Sequence, residues 1–185
     1  MKIPKAIQEL TTQFEKLPGI GPRTAQRLTF YLLHVPQSVL QEFSAALIDL
    51  KKSTVQCSVC QNVAEEDPCP ICSDVNRDQT AIMVIEHPLD VMVIERTNTY
   101  NGLYHVLHGI ISPLDNIGPS ELFVKELINR LRDNDKMKEV ILGLNPTMEG
   151  EATSLYIKNQ ISRLAINGLR ITRLGQGMPT GGDLQ

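Results

Sequence analysis

All four cysteines of this chain fall within sixteen residues, as Cys57-Ser58-Val59-Cys60 and Cys69-Pro70-Ile71-Cys72. Each Cys-x-x-Cys pair suits a tight turn whose backbone N–H groups point at thiolate sulfur. Two such turns place four sulfurs at the corners of a tetrahedron, about 2.3 Å from a zinc ion. Too few residues lie between the pairs to build an apolar core, so the metal takes the place of one. Four thiolates leave no position for water or substrate, which makes the site a structural zinc ribbon. Two disulfides would need an oxidising compartment, and Met1-Lys2-Ile3-Pro4 opens an amphipathic helix instead of an apolar signal segment. A thioredoxin-like redox pair would need a single Cys-x-x-Cys at a helix start. In rubredoxin knuckles the two pairs stand much further apart.

At 185 residues, with 42% hydrophobic and 21% charged residues, the chain has material for one good core and a smaller module. No apolar run approaches the roughly 20 residues of a membrane span, so no membrane association is expected. The net charge of −3 excludes a polycation that coats nucleic acid. Its distribution is uneven: residues 1–53 carry seven Lys/Arg against four acids, and the remainder eleven against seventeen. A basic end on an acidic body places any polyanion at the N-terminus.

Ile3, Ile7, Leu10, Phe14 and Leu17 recur at helical spacing, which predicts an amphipathic helix over 3–17. A second is expected over 23–33 with Ala25, Leu28 and Leu32 inward. A third follows Pro36, with Val39, Leu40, Phe43, Leu47 and Leu50 on one side. After the cysteines the texture changes. Strands are expected at 80–85, 104–107, 139–144 and 170–174, alternating with helices at 88–96, 119–133 and roughly 151–166. Such alternation predicts an α/β domain with a mostly parallel sheet. The expected modules are therefore 1–54, all helical; 55–78, the zinc ribbon; 79–175, the α/β domain; and 176–185, a Gly-rich C-terminal segment.

Between the first two helices lies Leu17-Pro18-Gly19-Ile20-Gly21-Pro22-Arg23-Thr24-Ala25. Gly19 and Gly21 lack Cβ atoms, so a phosphate can approach the turn and the backbone can take positive φ. Exposed N–H groups there and the positive end of the second helix form an anion site. Arg23 and Arg27, one turn apart, bracket adjacent phosphates. Such contacts read no bases, so binding is expected to be sequence-independent and salt-sensitive. The stretch resembles the helix-hairpin-helix motif of many DNA repair proteins; an ordinary helical hairpin is the alternative reading.

Glu86 ends the first expected strand, and Asn145-Pro146-Thr147-Met148-Glu149-Gly150-Glu151 follows the third. Strand C-termini are where α/β domains gather functional groups. The arrangement is similar to the Toprim fold of topoisomerases, primases and some nucleases, which hold Mg²⁺ with a glutamate after one strand and Asp-x-Asp after a later one. Here Glu149-Gly150-Glu151 replaces the aspartate pair, and Mg²⁺ is not expected. Tyr31, Tyr100, Tyr104 and Tyr156 have no setting for a tyrosine nucleophile, and no phosphate-loop lysine is present. His34, His87, His105 and His108 form no catalytic spacing; a second metal at His105 and His108 is the residual idea.

The order helix-hairpin-helix, four-cysteine ribbon, Toprim-like domain resembles the RecR family of bacterial recombination mediators. The matching runs are Leu-Pro-Gly-Ile-Gly-Pro, the cysteine box, Val-Ile-Glu-His-Pro, Tyr-His-Val-Leu-His-Gly, Asn-Pro-Thr-Met-Glu-Gly-Glu-Ala-Thr and Gly-Met-Pro-Thr-Gly-Gly-Asp-Leu, spread along the chain. This resemblance implies a non-enzymatic, cytoplasmic and nucleoid-associated protein of DNA repair. It would bind single- and double-stranded DNA and act with RecO and RecF to load recombinase on single strands. It also implies ring-like tetramers closed by swapped terminal regions. Gly19, Gly21, Arg23 and Arg27 would then face DNA; Cys57, Cys60, Cys69 and Cys72 would hold structural zinc; Glu86, Glu149 and Glu151 would meet RecO. Family chains run on with an acidic, tyrosine-bearing helical tail, whereas this sequence stops at Gln185. A dimer or open assembly follows if that tail closes the ring. The rival function is a Toprim-type Mg-dependent nuclease or nicking enzyme using Glu86, Glu149 and Glu151.

Overall fold

A computed structural model describes residues 3–175, which divide into two units, one up to Ser53 and one from Thr54 on. The Gly-rich stretch 176–185 lies outside the described residues.

The first unit holds α1 (Lys5–Glu15), α2 (Pro22–Leu32) and α3 (Gln37–Asp49). Pro22 sits at the first position of α2, where a missing N–H costs nothing and its fixed φ suits the helix. The α1–α2 contact is narrow. Its buried centre is Ala25 with Thr11 and Thr29, whose hydroxyls bond to each other at 3.1 Å, while Thr29 also donates to the Ala25 carbonyl at 3.0 Å. The apolar stripe expected to face inward on α1 does not do so: Ile3, Leu10 and Leu17 are exposed, and only Ile7 and Phe14 are half-buried. On α3 the expected stripe is likewise one-sided, yet Val39, Phe43, Leu47 and Leu50 stay exposed and Leu40 is half-buried. Amphipathic spacing tells which side of a helix seeks burial; three short helices supply too little surface to satisfy all of it.

The second unit opens with the ribbon, a hairpin of β1 (Val55–Gln56) and β2 (Val63–Ala64) followed by the short helix α4 (Pro70–Ser73). A four-stranded sheet follows: β3 (Asp78–Ile85), β4 (Gly102–Val106), β5 (Glu139–Leu142) and β6 (Arg170–Arg173), in the order β4-β3-β5-β6 with every pairing parallel. The connections carry α5 (Pro88–Glu95), α6 (Val124–Arg132) and α7 (Met148–Ser162). The helix expected from residue 119 starts only at Val124, after turns in which Gly118 N–H bonds the Glu121 carboxylate at 2.9 Å.

Alternate residues of the central strand face opposite layers. Ile82 and Val84 pack with Leu127 and Leu131 of α6 and Ile157 and Ile161 of α7; Met83 and Ile85 pack with Val91 of α5 and Tyr104 of β4. Chain connections leave β3 and β5 toward opposite edges of the sheet, so the crevice beyond their C-terminal ends is the topological switch point, where α/β sheets place ligands and contacts. At the other edge Arg77 anchors the segment entering β3. It pairs with Glu95 of α5 and donates to the Gly102 carbonyl at 2.9 Å, while Tyr104 Oη donates to Glu95 at 2.6 Å. Burial opposes ionisation of Glu95, but the guanidinium and the phenol outweigh it and hold the carboxyl below its usual range.

Candidate nucleic-acid interface and zinc site

The turn between α1 and α2 is open and carries two glycines. Gly19 takes φ +80°, a conformation that side chains resist. Gly21 does not: at φ −83° and ψ 170° it is extended, and it serves as the residue preceding the helix. A Cβ built on either glycine meets nothing within 4 Å, so the space above the turn is open. Pro22 has no N–H, the first helical bond is Ala25 N–H to Gly21 carbonyl at 3.0 Å, and the amides of Arg23 and Thr24 meet no acceptor among the described residues. Those two N–H groups stand at the positive end of α2. Arg23 and Arg27 are exposed on the same side of the helix, and α2 carries no acid.

The four cysteines converge. Their sulfurs all lie within 4.8 Å of one another, with Cys60 Sγ to Cys69 Sγ at 3.5 Å; a tetrahedron of bonds near 2.3 Å has edges of about 3.8 Å. Local bonds shape both knuckles. Gln61 N–H donates to the Cys57 carbonyl at 2.9 Å, and Cys57 N–H to the Asn62 carbonyl at 2.8 Å. Cys69 N–H donates to Cys57 Sγ at 3.3 Å, the amide-to-thiolate contact expected of the motif. Ser58 N–H and hydroxyl both donate to Asp67, at 2.7 and 3.0 Å, which ties the knuckles together. The hydrogen bond with Cys69 and burial both push the Cys60 thiol up, a cost of gathering thiolates that a bound cation would offset. This donor set fits zinc, and Cys57, Cys60, Cys69 and Cys72 would hold it.

The ribbon is seated on the α/β body through contacts not read in the sequence. Val106 N–H donates to the Cys60 carbonyl at 2.8 Å, His108 Nε2 lies 2.5 Å from the Gln61 carbonyl, and Ile71 joins the apolar layer of Met83 and Tyr104. His105 is wholly buried, with Nε2 at 2.7 Å from the Phe123 carbonyl; burial lowers its pKa to about 4, so the ring is neutral. The two histidines therefore bond main-chain carbonyls and do not converge on a second metal; the cysteines are the only candidate metal cluster among the described residues.

At the switch point the acids separate. Glu86 is only 4% exposed, and its two oxygens accept from the Asn145 backbone N–H at 2.6 Å and the Asn145 side chain at 2.8 Å. The surface position expected for Glu86 is thus not what the structure shows: parallel register brings the loop after β5 across the end of β3 and closes over it. Glu149 is half-buried in the first turn of α7, and Glu151 is exposed and paired with Arg173 of β6, one of whose bonds measures 2.7 Å. Gly150 between them is buried, and a Cβ there would stand 2.1 Å from the Asn145 carbonyl oxygen. A glycine between two glutamates, three residues after the helix-capping Thr147 (which accepts from Gly150 N–H at 3.0 Å), was the signal for this close approach.

A glycine-turn helical hairpin, a tetrathiolate knuckle pair and a parallel α/β domain in one chain define a multi-module protein of DNA transactions. Three family models match in register with these modules: the RecR helix-hairpin-helix over residues 7–51, the RecR four-cysteine zinc finger domain over 54–74, and the Toprim domain over 80–175. Curated relatives called recombination protein RecR are similar along the whole length. That of Lactobacillus acidophilus is 50% identical over all of this chain and 92% of its own. The Chloroherpeton thalassium protein is 50% identical over 97% of this chain and 89% of its own, and the Moorella thermoacetica protein 48% over 100% and 91%. The chain belongs to the RecR family of recombination proteins.

Proposed function

We propose that this chain is a non-enzymatic DNA-binding adaptor that works with RecO- and RecF-like partners to help load recombinase onto single-stranded DNA, in the bacterial cytoplasm at the nucleoid. One observation carries the reading: the open Gly19–Gly21 turn with two unbonded amides, followed on an acid-free helix by exposed Arg23 and Arg27. Residues 1–54 bind DNA backbone, the ribbon of 55–78 is the zinc-held brace, and 79–175 present the partner surface. Glu149 and Glu151 offer carboxylates to a basic partner, and Glu86 acts from beneath by holding the Asn145 loop. A nuclease reading draws less support, because the Glu86 oxygens are already engaged and the three acids do not converge as a metal cluster. Exposed apolar side chains on α1 and α3, among them Leu10, Leu17, Phe43 and Leu47, support self-association, for which the proposed assembly is a tetramer.

The test is DNA affinity against salt for wild type and for Arg23→Ala/Arg27→Ala. Losing two phosphate contacts should flatten the log–log slope by about 1.4 for single strands and about 1.8 for duplex, at unchanged melting temperature. An unchanged slope and affinity would remove the clamp.

A further inference from the structure

The outward face of α2 carries more than two arginines. At about 100° per residue, Arg23, Arg27, Phe30 and Tyr31 project within one sector, opposite the buried Ala25 and Thr29 and the half-buried Leu28 and Leu32, and His34 follows in the turn past the helix end. Tyr31 is 64% exposed and Phe30 49%. An aromatic ring this open forgoes most of its burial on an otherwise cationic face. The face itself holds no acid, since α2 has none; of the two acids on α1, Glu9 pairs with Lys5 at 3.4 Å and Glu15 is the last residue of that helix. The unit's only aromatic residue on α1, Phe14, is half-buried and does not cover them by a ring contact among the described residues.

We infer that Tyr31, flanked by Phe30, is a base-stacking platform that makes the Arg23–Arg27 clamp prefer single-stranded over duplex DNA. This rests on the clamp reading and adds the class of DNA it takes. Along α2, ten residues separate Gly21 from Tyr31, an axial distance of about 15 Å. At the duplex rise of about 3.4 Å per nucleotide that is about four nucleotides, fewer if the strand is stretched. A strand whose phosphate sits on the glycine turn and whose next phosphates meet Arg23 and Arg27 therefore brings an unpaired base level with the tyrosine ring. Every base has a π face, so stacking adds affinity without reading sequence. In duplex DNA the bases are stacked on one another and turned inward, and Tyr31 has only sugar and phosphate to touch. Guanidinium contacts hold both forms equally; the aromatic ring discriminates.

The experiment compares oligo-dT with a blunt duplex of equal length, by fluorescence anisotropy on the full zinc-loaded chain, for wild type, Tyr31→Ala and Tyr31→Phe, with assembly mass by light scattering. Tyr31→Ala should weaken oligo-dT binding by about 5- to 150-fold, leave duplex binding within about twofold, and leave the salt slope intact because no phosphate contact is lost. Tyr31→Phe keeps a ring and should restore single-strand affinity. Equal losses on both DNAs, no loss on either, or a changed assembly mass with Tyr31→Ala would overturn the inference, the last by making the ring a contact between copies. The two readings fail separately. If Arg23→Ala/Arg27→Ala spares binding, the clamp falls; if it weakens both DNAs while Tyr31→Ala weakens neither, only the stacking platform falls.

Discussion

Replacing Glu86 by glutamine changes one oxygen into an NH₂ group and removes a charge, with almost no change in shape. In the structure both donors of Asn145, its main-chain N–H and its Nδ2, converge on the Glu86 carboxylate at 2.6 and 2.8 Å in a site 4% exposed. Glutamine can satisfy one of them; its amide nitrogen then faces the other donor. Losing one hydrogen bond to a buried charge costs about 1.5–3 kcal/mol, and the donor left facing a donor adds to this. A total of about 2–4 kcal/mol follows. For a chain of this size each kcal/mol lowers the melting temperature by about 2–4 °C, so a fall of roughly 5–15 °C is expected in scanning calorimetry of zinc-loaded protein. Asn145→Ala removes the Nδ2 donor and should cost about 1–3 kcal/mol. In the Asn145→Ala background the Glu86→Gln penalty should shrink by about 1 kcal/mol or more, since the unmatched donor is gone. A Glu86→Gln protein that melts with wild type would refute the reasoning, because its carboxylate would then stand free. Cleavage of plasmid or single-stranded DNA with Mg²⁺ or Mn²⁺, abolished by the same substitution, would turn the acids into a catalytic site.

Gly150→Ala should destabilise the second unit by about 1–3 kcal/mol, read as a lowered urea midpoint, because the added carbon stands 2.1 Å from the Asn145 carbonyl oxygen. His105 has a folded pKa of about 4 against 6.5 when unfolded, so the unfolded chain binds the extra proton between those values. Its contribution is therefore complete above pH 6.5 and is lost on acidification towards pH 4, by up to about 3 kcal/mol; an imidazole NMR signal titrating near 6.5 would contradict this. Zinc removal by a chelator should raise hydrogen exchange at the Val106 amide, which donates to the Cys60 carbonyl at 2.8 Å, before exchange rises across β5. Equal protection of Val106 with and without metal would show that the ribbon holds its seat unaided.

The cysteine spacing, the four strands and the helical turn were legible because each rests on local chemistry: sulfur count, apolar runs, paired glycines. Register was not legible. Nothing between residues 86 and 145 announces that the loop after β5 folds over the end of β3, and this alone turns Glu86 from a surface acid into a buried clasp. Burial of the helical stripes was misjudged for a related reason. The spacing of Val39, Phe43, Leu47 and Leu50 names a face, but whether anything in the chain covers it depends on how much surface the neighbouring helices bring. Conversely, Thr11 and Thr29, polar and unremarked in the sequence, form a buried hydrogen bond between α1 and α2. His108, noted in the sequence only beside His105 as a metal idea, could not be assigned to the ribbon because its partner is a main-chain carbonyl, which carries no side-chain signature.

The uncovered face of α3 has a consequence for how the protein exists in a cell. Were the self-association proposed above to run through this face, burying its leucines and phenylalanine would tie the stability of the N-terminal unit to the concentration of the protein. Dilution would then act on that unit as heat does, and the number of copies synthesised would enter its folding equilibrium.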